Sequence, residues 1–532
     1  MSVSTLLLNT VVQTTTTVFN TKEFQNHFLW ALIVGFIIAF VLAMGMGGND
    51  VANAFGTSVG SKVLTLVKAY ILACIFETLG AVLVGYNVID TMRKGVVDVG
   101  IYGNNVDELF LGQIAILGGC ATWLLVATLF KLPVSTTHSI VGATLGFTIV
   151  CKGLQGVQWV VLIKIAASWF VSPIFSGLMS SALYVITDHT VLRRSNAIKC
   201  GLIVLPFFYF ACLAFNTFMV VYQGSRIRFL HLSSLPLWLS IVVAIGVGCF
   251  TALLVQFFMV PYLRKKFVGN SVIGTNEVRY YDNAVSVESV PEAIAKEKQV
   301  AINVEQSSND VTSYNSELSN NRKLSAATET SLPDYTQPDC QKSCSSGFLN
   351  FFRWFLPIHD RVIPTDVLEL FKVLQVFTAC FAGFSHGAND VSNAIAPLSA
   401  MWSLYEHHDV YQNDNTPIWV LLYGVLGICV GLCCIGHRVI RTVGTEMTEV
   451  NTARGFTIEF GAAVTGLVAS KLGLPISTTH CMVGSIVFVG LISSSKGVDW
   501  KIFRNVTASW VITLPASGLI AAGMMALLKL AL

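Results

Sequence analysis

Apolar runs separated by short polar joints fill most of this 532-residue chain. A helix of roughly 20 apolar residues crosses the hydrocarbon core of a bilayer. Runs of about that size occur at 28–47, 64–88, 109–131, 138–152, 159–187, 200–222 and 236–262. After a long polar stretch they resume at 366–387, 417–436, 455–473, 480–495 and 506–531. The pattern predicts an all-α polytopic membrane protein with about 12 transmembrane helices, some of them re-entrant or broken. Runs 138–152 and 480–495 are short enough to be halves of re-entrant hairpins. The stretch 264–362 is rich in Ser, Asn, Glu and Lys with little apolar periodicity, and reads as a largely disordered linker.

Composition agrees: 54% of residues are apolar and only 12% charged, against roughly 25% charged in soluble domains. The placement of basic residues orients the chain. Arg264, Lys265 and Lys266, Arg193 and Arg194, Arg438, Arg441 and Arg454, and Lys496, Lys501 and Arg504 fall on one side of a 12-crossing layout. That side is the cytoplasm, so the 264–362 linker is expected inside and both termini outside. Arg93, Lys94, Arg226 and Arg228 fall on the wrong side of this layout. The expected divisions are an external segment 1–27, a first membrane half 28–263, the linker 264–362 and a second membrane half 363–532. Met1 to Asn20 has no basic region, so no cleaved signal peptide is expected. The 13 Cys are scattered and read as small packing residues; Cys340 and Cys344 find no second pair to complete a zinc pattern.

The two halves repeat. Gly48-Asn49-Asp50-Val51-Ala52-Asn53-Ala54 closes the first apolar run, and Ala388-Asn389-Asp390-Val391-Ser392-Asn393-Ala394 closes the eighth. Pro133-Val134-Ser135-Thr136-Thr137-His138 and Pro475-Ile476-Ser477-Thr478-Thr479-His480 follow, and then Ala167-Ser168-Trp169 and Ala508-Ser509-Trp510. Three motifs in one order define a duplication over about 40–185 and 380–527. An odd number of crossings separates the copies, so they are inverted in the membrane. Inverted repeats with Gly- and Pro-interrupted segments are the mark of secondary transporters, with the site near the midplane.

The motifs suggest what the site holds. Pro ends one helix and Ser or Thr caps the next. A helix start within the membrane offers free N–H groups and a positive dipole end, which suits an anion. Asn-Asp-x-x-x-Asn supplies hard oxygen ligands suited to small cations. Neither motif contains Lys or Arg, so an anion beside Asp50 and Asp390 needs cations with it, a physical basis for coupling. Glu77 and Glu459 are intramembrane acids and therefore functional candidates. They are not symmetry mates: Glu459 precedes Pro475 by 16 residues, and the residue 16 before Pro133 is Leu117. His138 and His480, with an unperturbed pKa of about 6.5, suit either pH dependence or a neutral structural role. His386, where the first copy has Met46, reads as incidental. No nucleophile–base pair appears, so an enzyme is not expected.

These paired signatures resemble those of the PiT family of inorganic phosphate transporters, over nearly all of the membrane part. The resemblance implies sodium-coupled import of phosphate across the plasma membrane by alternating access, with homodimers and no nucleic-acid partner. It implies that Ser135, Thr136, Thr137, Ser477, Thr478 and Thr479, with Asp50 and Asp390, surround phosphate. It also implies that Asn49, Asp50, Asn53, Asn389, Asp390 and Asn393 bind sodium, and that transport depends on Glu77 and Glu459. Gly48 departs from the family pattern, which has Ala there. Rival readings are proton coupling, another oxyanion such as sulfate, and a non-transporting phosphate sensor that signals through the linker.

Overall fold

The computed structural model describes residues 3–103, 105–222, 235–270, 351, 354–359, 361–441, 447–494 and 496–531, with side chains from Thr21 onward. Of the linker expected at 264–362, residues 264–270 are helical and 354–359 and 361–362 are described, while 271–350 lie outside the described residues, as do Arg226, Arg228, Cys340 and Cys344. Six helices form the first repeat: α1 (Val3–Gly60), α2 (Leu66–Val84), α3 (Tyr86–Lys94), α4 (Val106–Leu129), α5 (Thr136–Lys152) and α6 (Trp159–Thr187). Between the repeats come α7 (Ala197–Val221), α8 (Leu237–Leu254) and α9 (Val260–Asn270). The second repeat answers the first element by element, with α10 (Thr365–His407), α11 (Ile418–Ile435), α12 (His437–Arg441), α13 (Thr452–Lys471), α14 (Thr478–Ser493) and α15 (Trp500–Leu528).

All 12 expected runs are helical, but among the described residues nine helices are long and apolar enough to cross a bilayer. The other three runs are α5, α13 and α14. The boundary expected at residue 28 lies inside α1, which is unbroken from Val3.

Helices α1 and α10 are repeat mates, and they run antiparallel past each other. Gln25 Nε2 donates to the Tyr405 carbonyl at 2.9 Å, and Tyr405 Oη donates to the Gln25 carbonyl at 3.1 Å. At the other end Ser61 Oγ donates to Gln375 Oε1 at 3.0 Å. The inversion expected from the crossing count is therefore visible in the crossing of these two helices.

Helices α4 and α5 form a hairpin, held at its open end by Lys152 and Glu108 at 2.6 Å. Helices α13 and α14 form its mate, where Arg454 Nη2 donates to the Ser493 carbonyl at 2.6 Å. Each tip turns through one left-handed residue, Lys131 (φ 59°) in the first and Gly473 (φ 64°) in the second. Glycine accepts this conformation freely, whereas Lys131 incurs about 1 kcal/mol. Pro133 and Pro475 cannot continue a helix and extend the residue before them. Ser135 Oγ then accepts from His138 N at 3.3 Å and Ser477 Oγ from His480 N at 3.2 Å, so each serine caps its new helix as the motif predicts.

The repeats are interlocked through glycine. A Cβ on Gly142 of α5 would strike the Leu514 carbonyl of α15, and one on Gly484 of α14 would strike the Pro173 carbonyl of α6. Each hairpin thus rests on the last helix of the other repeat. The same exchange pairs Gly431 of α11 with the Met44 carbonyl, and Gly80 of α2 with the Phe384 carbonyl.

Arg93, which disagreed with the orientation rule, is buried. Its guanidinium donates to Ser399 Oγ, to Thr416 Oγ1 and to the carbonyls of Gln412 and Asp414. It serves as a fastener for the α10–α11 loop rather than as a surface charge, and so carries no orientation signal.

Candidate substrate and cation site

The two hairpin tips meet head to head at the α1–α10 crossing. Thr137 Oγ1 donates to the Ile476 carbonyl at 2.8 Å, and Thr479 Oγ1 to the Val134 carbonyl at 3.3 Å. The starts of α5 and α14 therefore converge, and with them two positive dipole ends. Asn53 Nδ2 bridges Asp50 Oδ1 at 3.1 Å and Thr479 Oγ1 at 2.9 Å. Its mate Asn393 bridges Asp390 Oδ1 and Thr137 Oγ1, both at 3.1 Å. Thr136 Oγ1 donates to Asp390 Oδ1 at 3.0 Å, and Asn53 Nδ2 lies 3.4 Å from Thr478 Oγ1. All of these side chains are buried. The structure thus gathers Asp50, Asn53, Thr136, Thr137, Asp390, Asn393, Thr478 and Thr479 into one cluster.

Asn49 and Asn389 are turned elsewhere. Asn49 Nδ2 donates to Thr128 Oγ1 at 3.1 Å and to the Leu132 carbonyl at 2.9 Å, and Asn49 Oδ1 accepts from Val134 N at 3.0 Å. Asn389 Nδ2 reaches Ser470 Oγ at 3.2 Å and the Leu474 carbonyl at 3.5 Å. Both amides hold hairpin tips.

His386, read from sequence as incidental, stands at the centre. Its Nε2 is 3.5 Å from Asp390 Oδ2 and 3.9 Å from Asp50 Oδ2, and its Nδ1 is 3.3 Å from Glu77 Oε1. Asp50, His386 and Asp390 offer ligand atoms within 4.8 Å of one another. Sequence reasoning missed this residue because it breaks the repeat; its spacing of four from Asp390 on one helix was the available signal. Glu77 arrives from α2 because Gly387, which has no Cβ to obstruct it, lets the Glu77 backbone lie against α10. In the mirror position Gly47 receives the Ile428 backbone, so the structural mate of Glu77 is an isoleucine.

Among the described residues no Lys or Arg lies within ion-pair distance of Asp50, Asp390 or Glu77. One oxygen of each aspartate and both of Glu77 make no hydrogen bond, and His386 is the basic group that faces three of these four oxygens. Buried carboxylate oxygens without partners are costly. Such hard oxygens suit a small cation, which would also shield the acids from an anion at the threonines.

Glu459 lies apart from this cluster. Its Oε1 accepts from Thr57 and Ser58, each at 2.6 Å, and its Oε2 from Thr378 at 2.7 Å. Gln375 Nε2 adds a 3.4 Å contact. His138 and His480, 4.7 Å apart between centroids, stack at 3.7 and 3.8 Å on Trp169 and Trp510 respectively, which assigns the third repeated motif to bracing the hairpin tips.

Comparison with known proteins places the chain in a family. A model of the phosphate transporter family matches residues 46–521. The sodium-dependent phosphate transporter 2 of Xenopus tropicalis is 36% identical over 94% of this chain and 98% of its own length. The sodium-dependent phosphate transporter 1 of Rattus norvegicus is 35% identical over 94% and 95%. A solved structure described as the sodium-dependent phosphate transporter superposes with a TM-score of 0.71 at 29% identity, covering 94% of this chain and 99% of that one. The chain is a multi-pass membrane protein and belongs to the phosphate transporter family.

Proposed function

We propose that the protein imports inorganic phosphate across the plasma membrane, coupled to sodium and working by alternating access. The observation that carries this reading is the meeting of two capped helix starts over two buried, partly unpartnered aspartates. Phosphate lies between the hairpin tips, held by Thr136, Thr137, Thr478, Thr479 and the N–H groups behind Ser135 and Ser477. Sodium ions lie against Asp50 and Asp390, with Asn53 and Asn393 orienting the carboxylates, and screen them from the phosphate. Both termini are external, the 264–362 linker is cytoplasmic, and the protein assembles as a homodimer.

Labelled phosphate uptake into liposomes containing the purified protein tests this. Flux that requires an inward sodium gradient is the expected result; flux indifferent to sodium rejects it. One observation favours protons as the coupling ion, namely His386 within 3.9 Å of three carboxylates. Equal flux in choline at low pH would select that reading.

A further inference from the structure

The end of the linker is fastened to the membrane part. Arg193, just past the end of α6, donates to the carbonyls of Trp354 and Leu356, and His189 Nε2 meets the Phe355 carbonyl between them at 3.1 Å. Buried Asp188 holds the Arg193 guanidinium, with Arg361 Nε 3.7 Å from its other oxygen. Arg361 Nη1 in turn donates to the Leu192 carbonyl at 2.7 Å. His359 Nε2 lies 3.3 Å from the Leu491 carbonyl near the end of α14. Three successive carbonyls, at 354, 355 and 356, are thus satisfied by side chains instead of water. That is the condition for irregular backbone to lie beside lipid. The protein leaves the side chains of this stretch uncovered: Trp354 is 62% exposed and Ile358 61%, and Phe355 and Leu356 are exposed beside them. Large apolar groups exposed together mark an interaction surface. Its level along the bundle is set by the helix ends it touches. Helix α6 ends at Thr187 and α14 at Ser493, and α10 begins at Thr365. Arg194, Lys199, Lys501 and Arg504 are exposed at this same end, as is Trp500 at the start of α15. Trp beside basic residues at the ends of spans marks the level of the lipid headgroups.

We propose that residues 354–358 form a foot resting in the phospholipid leaflet on the side that carries Arg194 and Lys501, cytoplasmic in the proposed orientation. Trp354, Phe355, Leu356 and Ile358 lie at the boundary between headgroups and acyl chains, where amphipathic and aromatic side chains gain most. Arg193 and His189 hold the backbone of the foot to α6, and His359 ties it to α14. The linker, expected from sequence as a plain tether, is thereby pinned to the membrane surface a few residues before α10 begins.

Photocrosslinking on the full chain tests this without reference to what the protein transports. The photoreactive residue p-benzoylphenylalanine replaces Trp354 in one sample and Ile358 in another, each in nanodiscs of phosphatidylcholine and phosphatidylserine. Phe257, exposed on the 237–267 span, is the lipid-facing control. After irradiation the intact mass should rise by one phospholipid at 354 and at 358, as at 257. An absence of lipid adduct at both positions where 257 gives one overturns the proposal. So does a covalent dimer formed through them, which would assign the patch to a second copy of the chain. A variant that misfolds at one position leaves the other to decide. Hydrogen exchange tests the fastening: Arg193→Ala should speed exchange at 354–358 by about fivefold, the worth of one hydrogen bond. Unchanged exchange overturns the holding role of Arg193. Where Arg193→Ala fails to fold, His189→Ala, which releases the Phe355 carbonyl alone, is read in the same way.

Discussion

The two repeats match residue for residue at Asp50 and Asp390, Asn53 and Asn393, and the two Ser-Thr-Thr caps. They part at the glutamates. Glu77 answers to Ile428 across the axis, and Glu459 answers to Leu117. The polar lining of Glu459 is one-sided too: in the register that pairs Asp50 with Asp390, Thr57 and Ser58 answer to Pro397 and Leu398, and Gln375 and Thr378 to Gly35 and Ile38. Symmetry therefore builds the chamber that the proposed reading gives to the anion, and departures from symmetry add the remaining acids. A two-fold frame supplies two equal faces, which suits a tetrahedral oxyanion. Glu77 and Glu459 have no such mirror.

The largest expected effect breaks the shared half of this comparison. Asp50→Asn and Asp390→Asn should each reduce sodium-driven phosphate uptake by about 100-fold or more if each removes a charge that holds the cation, as proposed. Near-normal uptake by either variant would make that position structural. Next comes Glu459→Gln, expected to lower maximal uptake by about tenfold while its mate Leu117→Ile stays within about twofold. Equal losses would mean that both positions matter through packing alone. Ile428→Glu would supply the missing mate of Glu77. It buries an unpaired carboxyl against Gly47 and should destabilise the protein by about 3 kcal/mol, read as earlier thermal unfolding in detergent. Gly431→Ala, whose new methyl meets the Met44 carbonyl, should cost about 1–3 kcal/mol by the same assay. The smallest effect is expected from deleting about 275–350: uptake should stay within about twofold if that stretch is a tether.

The repeat was legible because its motifs are local. Pro133 and Ser135 announce a helix start wherever they occur, and a second copy at similar spacing announces a pair. Helices α5 and α14 were suspect from length alone, and their pairing with α4 and α13 follows from contacts such as Lys152–Glu108. What sequence could not show was which side chains turn inward. Asn49 and Asn53 sit in one motif with one chemistry, yet one faces a hairpin tip and the other faces the aspartate. His386 looked incidental because nothing in the first repeat answers it, and Arg93 looked like a surface charge. Both gain their meaning from groups hundreds of residues or a whole helix away: Arg93 meets Gln412 and Asp414, and His386 meets Asp50 and Glu77.

The one-sided cage around Glu459 bears on energy as well as on ligand choice. In an ideal inverted repeat, exchanging the conformations of the two copies converts the outward-open state into the inward-open one at no change in free energy. The two states would then be equally populated, and the carrier would have no resting side. A group that hydrogen-bonds in one copy and meets leucine and proline in the other lifts that degeneracy. A difference of about 1.4 kcal/mol between the states already sets a tenfold preference. If the protein works by alternating access as proposed, the one-sided cage of Glu459 would favour one of its two states before any ion gradient is applied.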